Sequence, residues 1–402
     1  MSERHDVLIV GGGLVGASLA IALEGLGLDV ALVEATPAGE MPAAFDQRNL
    51  SFSAATVNAL RALGVMDALQ APTGAIRRIH VSRQGDFGRV MLEARNYGRE
   101  SFGEVVVARD FGAALEARLQ AQGSLVRYRP ARFVGTGDDA DDDVRTVRMV
   151  DDAGERTLRT RLLVAADGSH SGVREALGIA SREHDYRQAL LVARVRTGQA
   201  PDGTAYERFT PDGPTALLPR GDRHFGAVHA VPQAQADAVA ALDERAWLER
   251  LQQAFGWRVG RFTGSGPRSV YPVFQRVADR TVAARAVLLG NAAQTLHPIG
   301  AQGFNLGLRD ALTLAELLRE AEDPGAPALL RAYGERRRED RERTLAFSHG
   351  LARLTANEAP LVRPLRSLGL IAAGASPSLQ SMLVGGAMGF RGDVPALCRG
   401  QA

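Results

Sequence analysis

The 402-residue chain contains no lysine: all 48 of its basic residues are arginine. No Schiff-base lysine is available, which excludes pyridoxal phosphate enzymes and class I aldolases. The P-loop lysine of the common nucleotide triphosphatases and kinases is missing too. A genomic preference for arginine codons accounts for this absence, and the exclusions hold whatever its cause. Cysteine is almost as scarce. Cys398, near the end of the sequence, is the single one, so intrachain disulfides, CxxC redox pairs, thiolate zinc sites and iron–sulfur clusters are also excluded. Little cysteine fits a reducing compartment. A net charge of +2 spread along the chain is too weak and scattered to indicate nucleic-acid binding.

Long uncharged stretches are few. Val7 to Leu23 is one, but Glu3 and Asp6 precede it and Gly11, Gly12, Gly13 and Gly16 interrupt it. It reads as a buried strand, a tight turn and a helix rather than an export signal. Ser367 to Phe390 is the other; Pro377, Gln380 and four serines break it, so it does not read as a membrane span.

The chain has the length for a substantial core and two substructures. Residues 6–10 suit a parallel strand buried on both faces. A glycine turn, a helix ending near Gly25 and Gly27 and the strand DVALVE follow, a βαβ beginning. Helices are expected over 55–70 and from Asp110 to Gln122, with an inserted antiparallel hairpin between Ile76 and Leu92. A meander runs from 125 to Asp167, and its acidic run Asp138 to Asp143 reads as a solvated hairpin tip rather than a metal site. Strands dominate 187–275, interrupted by a helix from Asp243 to Phe255. The text then returns to βα character at AVLLGNAA, with a helix from Phe304 to Arg319. From Ala328 onward it is helical, with RRREDRER as an exposed arginine-rich face. No internal repeat is evident.

Three glycine-rich turns carry the chemistry. The first is Gly11-x-Gly13-x-x-Gly16, between a strand and a helix, with Glu34 ending the next strand where a ribose-binding acid is needed. Glycines let the backbone approach a pyrophosphate, Leu14 and Val15 open a helix whose free N–H groups face it, and the carboxylate accepts from a ribose hydroxyl. By itself this turn does not choose between FAD and NAD. The second is Ala166-Asp167-Gly168-Ser169-His170-Ser171 with Arg174, and the third runs from Leu288 to Ala311, where a strand enters a polar loop and then a helix. A helix starting near Gly303 or Phe304 would aim N–H groups at a negatively charged ring. All three turns leave the carboxyl ends of strands, the usual place for a cofactor.

In this order the three motifs resemble those of the FAD-dependent aromatic hydroxylases of the para-hydroxybenzoate hydroxylase type. GNAAQTLHPI–QGFNLG–RD, FDQRNLSFSAAT (45–56), ERFTPDGPTALLP (207–219) and AFGWRVG (254–260) are similar to the ubiquinone-biosynthesis branch, 2-octaprenyl-6-methoxyphenol hydroxylases above all. The likeness spans the chain and is weakest over 76–104 and after about 350. It implies an α/β fold, α+β overall: a Rossmann-like FAD-binding domain (1–75, 101–186 and 276–345), an inserted antiparallel β-sheet substrate domain (76–100 and 187–275) and a C-terminal helical region (346–402). It implies FAD as cofactor, NAD(P)H as reductant and O2 as co-substrate, with a flavin hydroperoxide hydroxylating a polyprenylated phenol. A soluble phenol, another ring position, or a flavin dehydrogenase or electron-transfer protein are the competing readings.

The same resemblance assigns residues. Gly11, Gly13, Leu14, Val15, Gly16 and Glu34 would hold the ADP portion. Asp167, Gly168 and Arg174 match the motif shared by FAD and NAD(P)H, and Gly290, Asn291 and Ala292 the turn on the ribityl chain. Arg48 would approach the flavin's sugar–phosphate or ring, Arg109 the FAD phosphates, and Gln302, Gly303, Phe304 and Asn305 the flavin. His297, Pro298, Gln302 and Tyr271 are the candidates beside the reacting centre. No metal is implied. Asn291 stands where the wider family has Asp, and Gly300-Ala301-Gln302-Gly303 where members generally read Ala-Gly-Gln-Gly; a Cβ at 301 is expected to oppose a positive φ. One dinucleotide turn implies no separate NAD(P)H domain. A tailed substrate implies a cytoplasmic protein in peripheral contact with the inner membrane or with other ubiquinone-biosynthesis proteins. The apolar stretch 361–391, edged by Arg363, Arg366 and Arg391, is compatible with that contact, as is a homo-oligomer.

Overall fold

The strand Arg4–Val10 runs through the centre of the molecule, with both its faces in apolar cores. Val7 and Ile9 pack on one side and Leu8 and Val10 on the other, which is why DVLIV is an unbroken apolar run. The computed structural model describes residues 3–138, 143–356, 362–390 and 392–400. Among these it contains an eight-stranded, a nine-stranded and a three-stranded sheet.

In the eight-stranded sheet, Arg4–Val10 pairs in parallel with Val30–Val33 on one side and Gly154–Ala165 on the other. Val126–Tyr128 and Ala286–Leu288 extend it, also in parallel. The meander strands Ala131–Asp138 and Arg145–Asp151 add an antiparallel flap. Residues 139–142 of the acidic run between them lie outside the described residues, as does Arg391. Helices Leu14–Ala22 and Gln302–Arg319 cover one face, with Leu19, Leu308, Leu312 and Leu314 in the shared core.

The nine-stranded sheet stands beside this layer and is mixed, not purely antiparallel. The hairpin Arg78–Arg83/Val90–Glu93 is antiparallel within itself but joins Thr204–Thr210 in parallel, Glu207 opposite Val81. That pairing depends on a contact between segments over a hundred residues apart, which local patterning does not encode.

The expected domain limits fall inside continuous elements. Strand Ser181–Thr197 crosses 186/187, with an irregularity between Asp185 and Gln188, and Ser269–Ala278 crosses 275/276. Helix Pro327–Ala356 runs through 345/346.

The RRREDRER segment also differs from expectation. Arg337 and Asp310 are buried, and Arg337 donates from Nε to Asp310 at 2.7 Å and from Nη2 to the half-buried Asp340 at 2.6 Å. Arg309 closes the network onto Asp340 at 2.7 Å, while Gln294 donates to Asp310 at 2.7 Å and receives a bond from Arg341 at 2.8 Å. A polar stripe at helical spacing looks the same whether it meets solvent or complementary charge.

Candidate functional site

A continuous cavity of about 1590 Å³ connects the carboxyl ends of the parallel strands to the face of the nine-stranded sheet. Pockets for one drug-sized ligand hold roughly 300–1,000 Å³. This cavity therefore has room for a dinucleotide and a second molecule.

At its first end, Gly11 has φ +103°, and a Cβ there would lie 2.5 Å from the Ala166 carbonyl oxygen. A Cβ on Gly16 would lie 1.9 Å from the Gly11 oxygen, so these two glycines close the turn. Gly13 serves differently: nothing lies within 4 Å of its would-be Cβ, and it lines the cavity with Leu14 and Val15. No side chain caps helix Leu14–Ala22 and no acid sits in its first turn, leaving its N–H groups for an anion. Glu34 Oε2 accepts from the Gly12 N–H at 2.7 Å and Oε1 from the Thr36 N–H at 2.7 Å. The carboxylate is fixed, with lone pairs left for a ligand's hydroxyl groups. Ala35, Ala131, Arg132 and Phe133 frame the same end, a contribution of the meander that sequence reading missed.

In the second turn, Asp167 accepts from Ser171 Oγ at 2.5 Å and the Val173 N–H at 3.1 Å, and burial raises its carboxyl above the ordinary range. Asp167 and Gly168 line the cavity. Arg174 stands behind the wall, donating to the Ala292 carbonyl at 3.0 Å and the Ser169 carbonyl at 3.1 Å. Expected as a cofactor contact, it bolts the second turn to the third.

The third turn has Gly290 at φ +54°, where a Cβ would sit 2.8 Å from Val15 Cγ2. Asn291 faces the cavity; Gly290 and Ala292 support it from behind. Ala301 does adopt the left-handed conformation, φ +52° and ψ +39°, contrary to the expectation that its Cβ would forbid it. Such a conformation costs an alanine about 1–2 kcal/mol. Helix Gln302–Arg319 starts immediately after it, with no side-chain cap and with Gly303 open, so a second helix N-terminus meets the cavity. Gln302 donates to the Gly300 carbonyl at 3.1 Å. Asn305 has all four valences engaged: Oδ1 accepts from the Ser53 N–H and Thr56 Oγ1, and Nδ2 donates to the Ser51 and Ala301 carbonyls. It fixes the helix to strand Asn49–Ser53. Phe304 packs on Phe52 and Phe111, ring centroids 5.3 and 5.2 Å apart.

Among the remaining candidates, Arg48 and Tyr271 come together. The Arg48 guanidinium lies 4.6 Å from the Tyr271 ring centroid, and both engage Asp46, Arg48 Nε at 2.9 Å and the Tyr271 hydroxyl at 2.6 Å. Asp46, unremarked in the sequence, thus takes the phenol expected to meet a ligand. Arg109 is exposed and off the cavity wall. His297 is buried; its Nδ1 accepts from the Ile299 N–H at 3.2 Å, which leaves the ring proton on Nε2, 3.4 Å from Gln188 Oε1. Burial, with His349 nearby, pushes His297 down to about 4, so it is neutral at pH 7. Pro298 lines the cavity beside it.

The second end is apolar. Ile79, Val81, Leu190, Val192, Ala216, Leu218 and Val228 form its floor, and Leu370 and Ala373 of helix Val362–Ala375 reach its mouth. One carboxylate interrupts the floor, Glu207.

Residues 4–348 match the family described as FAD binding domain. The chain belongs to this family. FAD is the cofactor of this flavoprotein, and the open glycines, uncapped helix N-termini and fixed Glu34 fit it. The ubiquinone hydroxylase UbiL of Rhodospirillum rubrum is 34% identical over 403 residues, spanning 98% of this chain and 92% of that one. The 3-demethoxyubiquinol 3-hydroxylase of Escherichia coli is 29% identical, spanning 92% of this chain and 95% of that one. In architecture the flavoprotein is similar to the p-nitrophenol 4-monooxygenase PnpA from Pseudomonas putida DLL-E4, with a TM-score of 0.78 at 19% identity over 98% of this chain and 99% of that one.

Proposed function

We propose that this flavoprotein is an NAD(P)H-driven monooxygenase that hydroxylates the aromatic ring of a polyprenylated phenol in ubiquinone biosynthesis. The observation that carries this reading is the cavity itself: a dinucleotide cradle opening directly onto an apolar chamber. The names of the ubiquinone hydroxylase relatives support it. When bound, FAD supplies the reduction and activation of dioxygen.

The protein's part is binding, orientation and exclusion of water. The Gly11–Gly16 turn and first helix receive the pyrophosphate, and Glu34 the ribose. Asp167, Gly168 and Asn291 border the central part of the cofactor, with Arg174 holding the two turns in register. The N-terminus of helix Gln302–Arg319, with Gln302 and Gly303, offers partial positive charge to the ring system. His297 and Pro298 wall this region, and neutral His297 serves as a rigid donor rather than an acid. Arg48 and Tyr271, tied through Asp46, join the cofactor layer to the substrate sheet. The reductant binds transiently, without a second dinucleotide fold.

A tailed substrate needs a route to lipid. No single helix among the described residues is long and apolar enough to cross a membrane, and the apolar segments Ser367–Ala375 and Ser378–Gly386 meet at 92°. Helix Val362–Ala375 lines the cavity mouth with Gly369, Leu370 and Ala373 while Leu368 and Ile371 are exposed. Phe87, also exposed, joins that patch through a 3.3 Å bond from its N–H to Ser367 Oγ. This rim is suited to the surface of a bilayer, with the tail leaving the cavity beside it.

The purified protein is expected to be yellow and to oxidise NAD(P)H faster when a prenylated phenol and O2 are supplied, with one oxygen atom added to the ring. A colourless protein that takes up no FAD would overturn the reading. Deletion in the host, with mass analysis of accumulated quinone precursors, identifies the ring position.

A further inference from the structure

Strand Thr204–Thr210 alternates cleanly. Tyr206 turns away from the cavity to pack on Phe225 and Phe255, while Ala205, Glu207 and Phe209 face into it. Glu207 is therefore a charged residue in a row of apolar ones. Its cross-strand neighbours are Val81 on one side and Ala216 on the other, both cavity-facing. No hydrogen bond or ion pair to its carboxyl exists among the described residues. Arg83, the charged cavity-facing group on the adjoining strand, sits opposite Phe209, one pleat farther on; Arg208, His80 and Tyr206 belong to the other face.

Glu207 is half-buried, its carboxyl turned to an apolar cavity rather than to a protein partner; holding a charge there costs stability, and a ligand that donates to it would offset that cost. Its location narrows the ligand. Phe209, two residues along the strand, packs against Ile299 of the loop beside the cofactor cradle. Two residues of a strand span about 7 Å, roughly the breadth of a substituted benzene ring. A ring lying between the Pro298–Gly300 loop and the sheet would turn a hydroxyl toward Glu207.

We propose that Glu207 is a catalytic residue that accepts the proton of the substrate's phenolic hydroxyl and, by doing so, fixes which edge of the ring faces the cofactor. This rests on the hydroxylase reading above. In the step, the phenol O–H bond breaks and an O–H bond forms on the carboxylate. The electron pair stays on the phenolate oxygen and enriches the ring carbons ortho and para to it; no electron leaves the substrate. The environment suits the task, since burial alone pushes the Glu207 carboxyl up to about 7, near the pH at which a general base works best.

The test uses the full FAD-loaded protein, with Glu207→Gln and Glu207→Leu beside wild type. The probes are a short-chain prenylphenol and its O-methyl ether. Wild type is expected to bind the phenol with the near-ultraviolet absorbance of a phenolate at pH 7.5, and to show kcat/KM rising through a limb near pH 7. Both variants are expected to bind FAD normally, to lose the phenolate signal and the limb, and to fall in kcat/KM by at least about 100-fold, the usual contribution of a positioned base. The unfolding midpoint of Glu207→Leu should rise, because no protein contact is removed. A variant that retains the limb and the phenolate spectrum, or that reacts within twofold of wild type, overturns the proposal. Wild-type protein that carries FAD yet binds no phenol overturns instead the hydroxylase reading on which the proposal rests.

Discussion

Gly13 and Gly16 belong to one motif but serve two purposes, and substitution separates them. An added methyl at 13 meets no atom of the protein, whereas at 16 it meets the Gly11 carbonyl at 1.9 Å. Gly13→Ala should therefore leave the unfolding midpoint of the FAD-free protein nearly unchanged while weakening FAD binding at least tenfold in a flavin-fluorescence titration. Gly16→Ala should lose both stability and flavin. Titration of buried groups gives a second expectation. Burial pushes His229 down to about 3 and His297 to about 4. Below pH 6.5 the unfolded chain takes up these protons before the folded one, so their contribution to stability is present above that pH and is lost as pH falls toward 3. Glu207 acts in the opposite sense, its ionisation opposing the fold as pH rises from 4.5 through about 7. Urea midpoints measured from pH 4 to 8 should fall on the acid side, and Glu207→Leu, which removes the opposing contribution between pH 4.5 and about 7, should make that fall steeper.

At the scale of the element, the consequential feature is the buried charge network between helices Gln302–Arg319 and Pro327–Ala356. Arg337→Ala would leave Asp310 and Asp340 short of their cation, which typically costs about 3–5 kcal/mol; Arg343→Ala, on an exposed pair, should cost under about 1 kcal/mol. Denaturant unfolding of the two variants measures the contrast. The same helix shows where sequence stops being informative. The three turns that line the cavity were legible because each is local: a strand, glycines forced by close approach, and a helix start, with the longest of them running only from Leu288 to Gln302. Arg337 and Asp340 were not, because a buried polar stripe and a solvated one share their spacing. Nor was Glu207, whose apolar surroundings come from five strands drawn from residues 79 to 228. An inward-facing charge in the alternation of TAYERFT was the available signal, but Tyr206 and Phe209 mark both faces as buried and hide which side holds the cavity.

For the whole molecule, the cavity and the rim around its mouth make one path from the cofactor to the surface. If the rim meets lipid, a Leu368→Ser/Ile371→Ser double variant should float poorly with anionic vesicles and show a raised KM for a long-tailed phenol. Its KM for a short-tailed one and its FAD content should stay as in wild type. Equal flotation of variant and wild type would refute that role. The continuity of three elements across the layers has another consequence. Helix Pro327–Ala356 holds the charge network about its middle and gives Phe347 and Leu351 to the cavity farther along. Strands Ser181–Thr197 and Ser269–Ala278 run past the expected limits as members of the nine-stranded sheet along their whole length. The nine-stranded sheet is thus not a cassette. An engineer who transplants it from a relative must carry both strands whole and the helix with them, for a junction at the expected limits would cut each of the three within a continuous element.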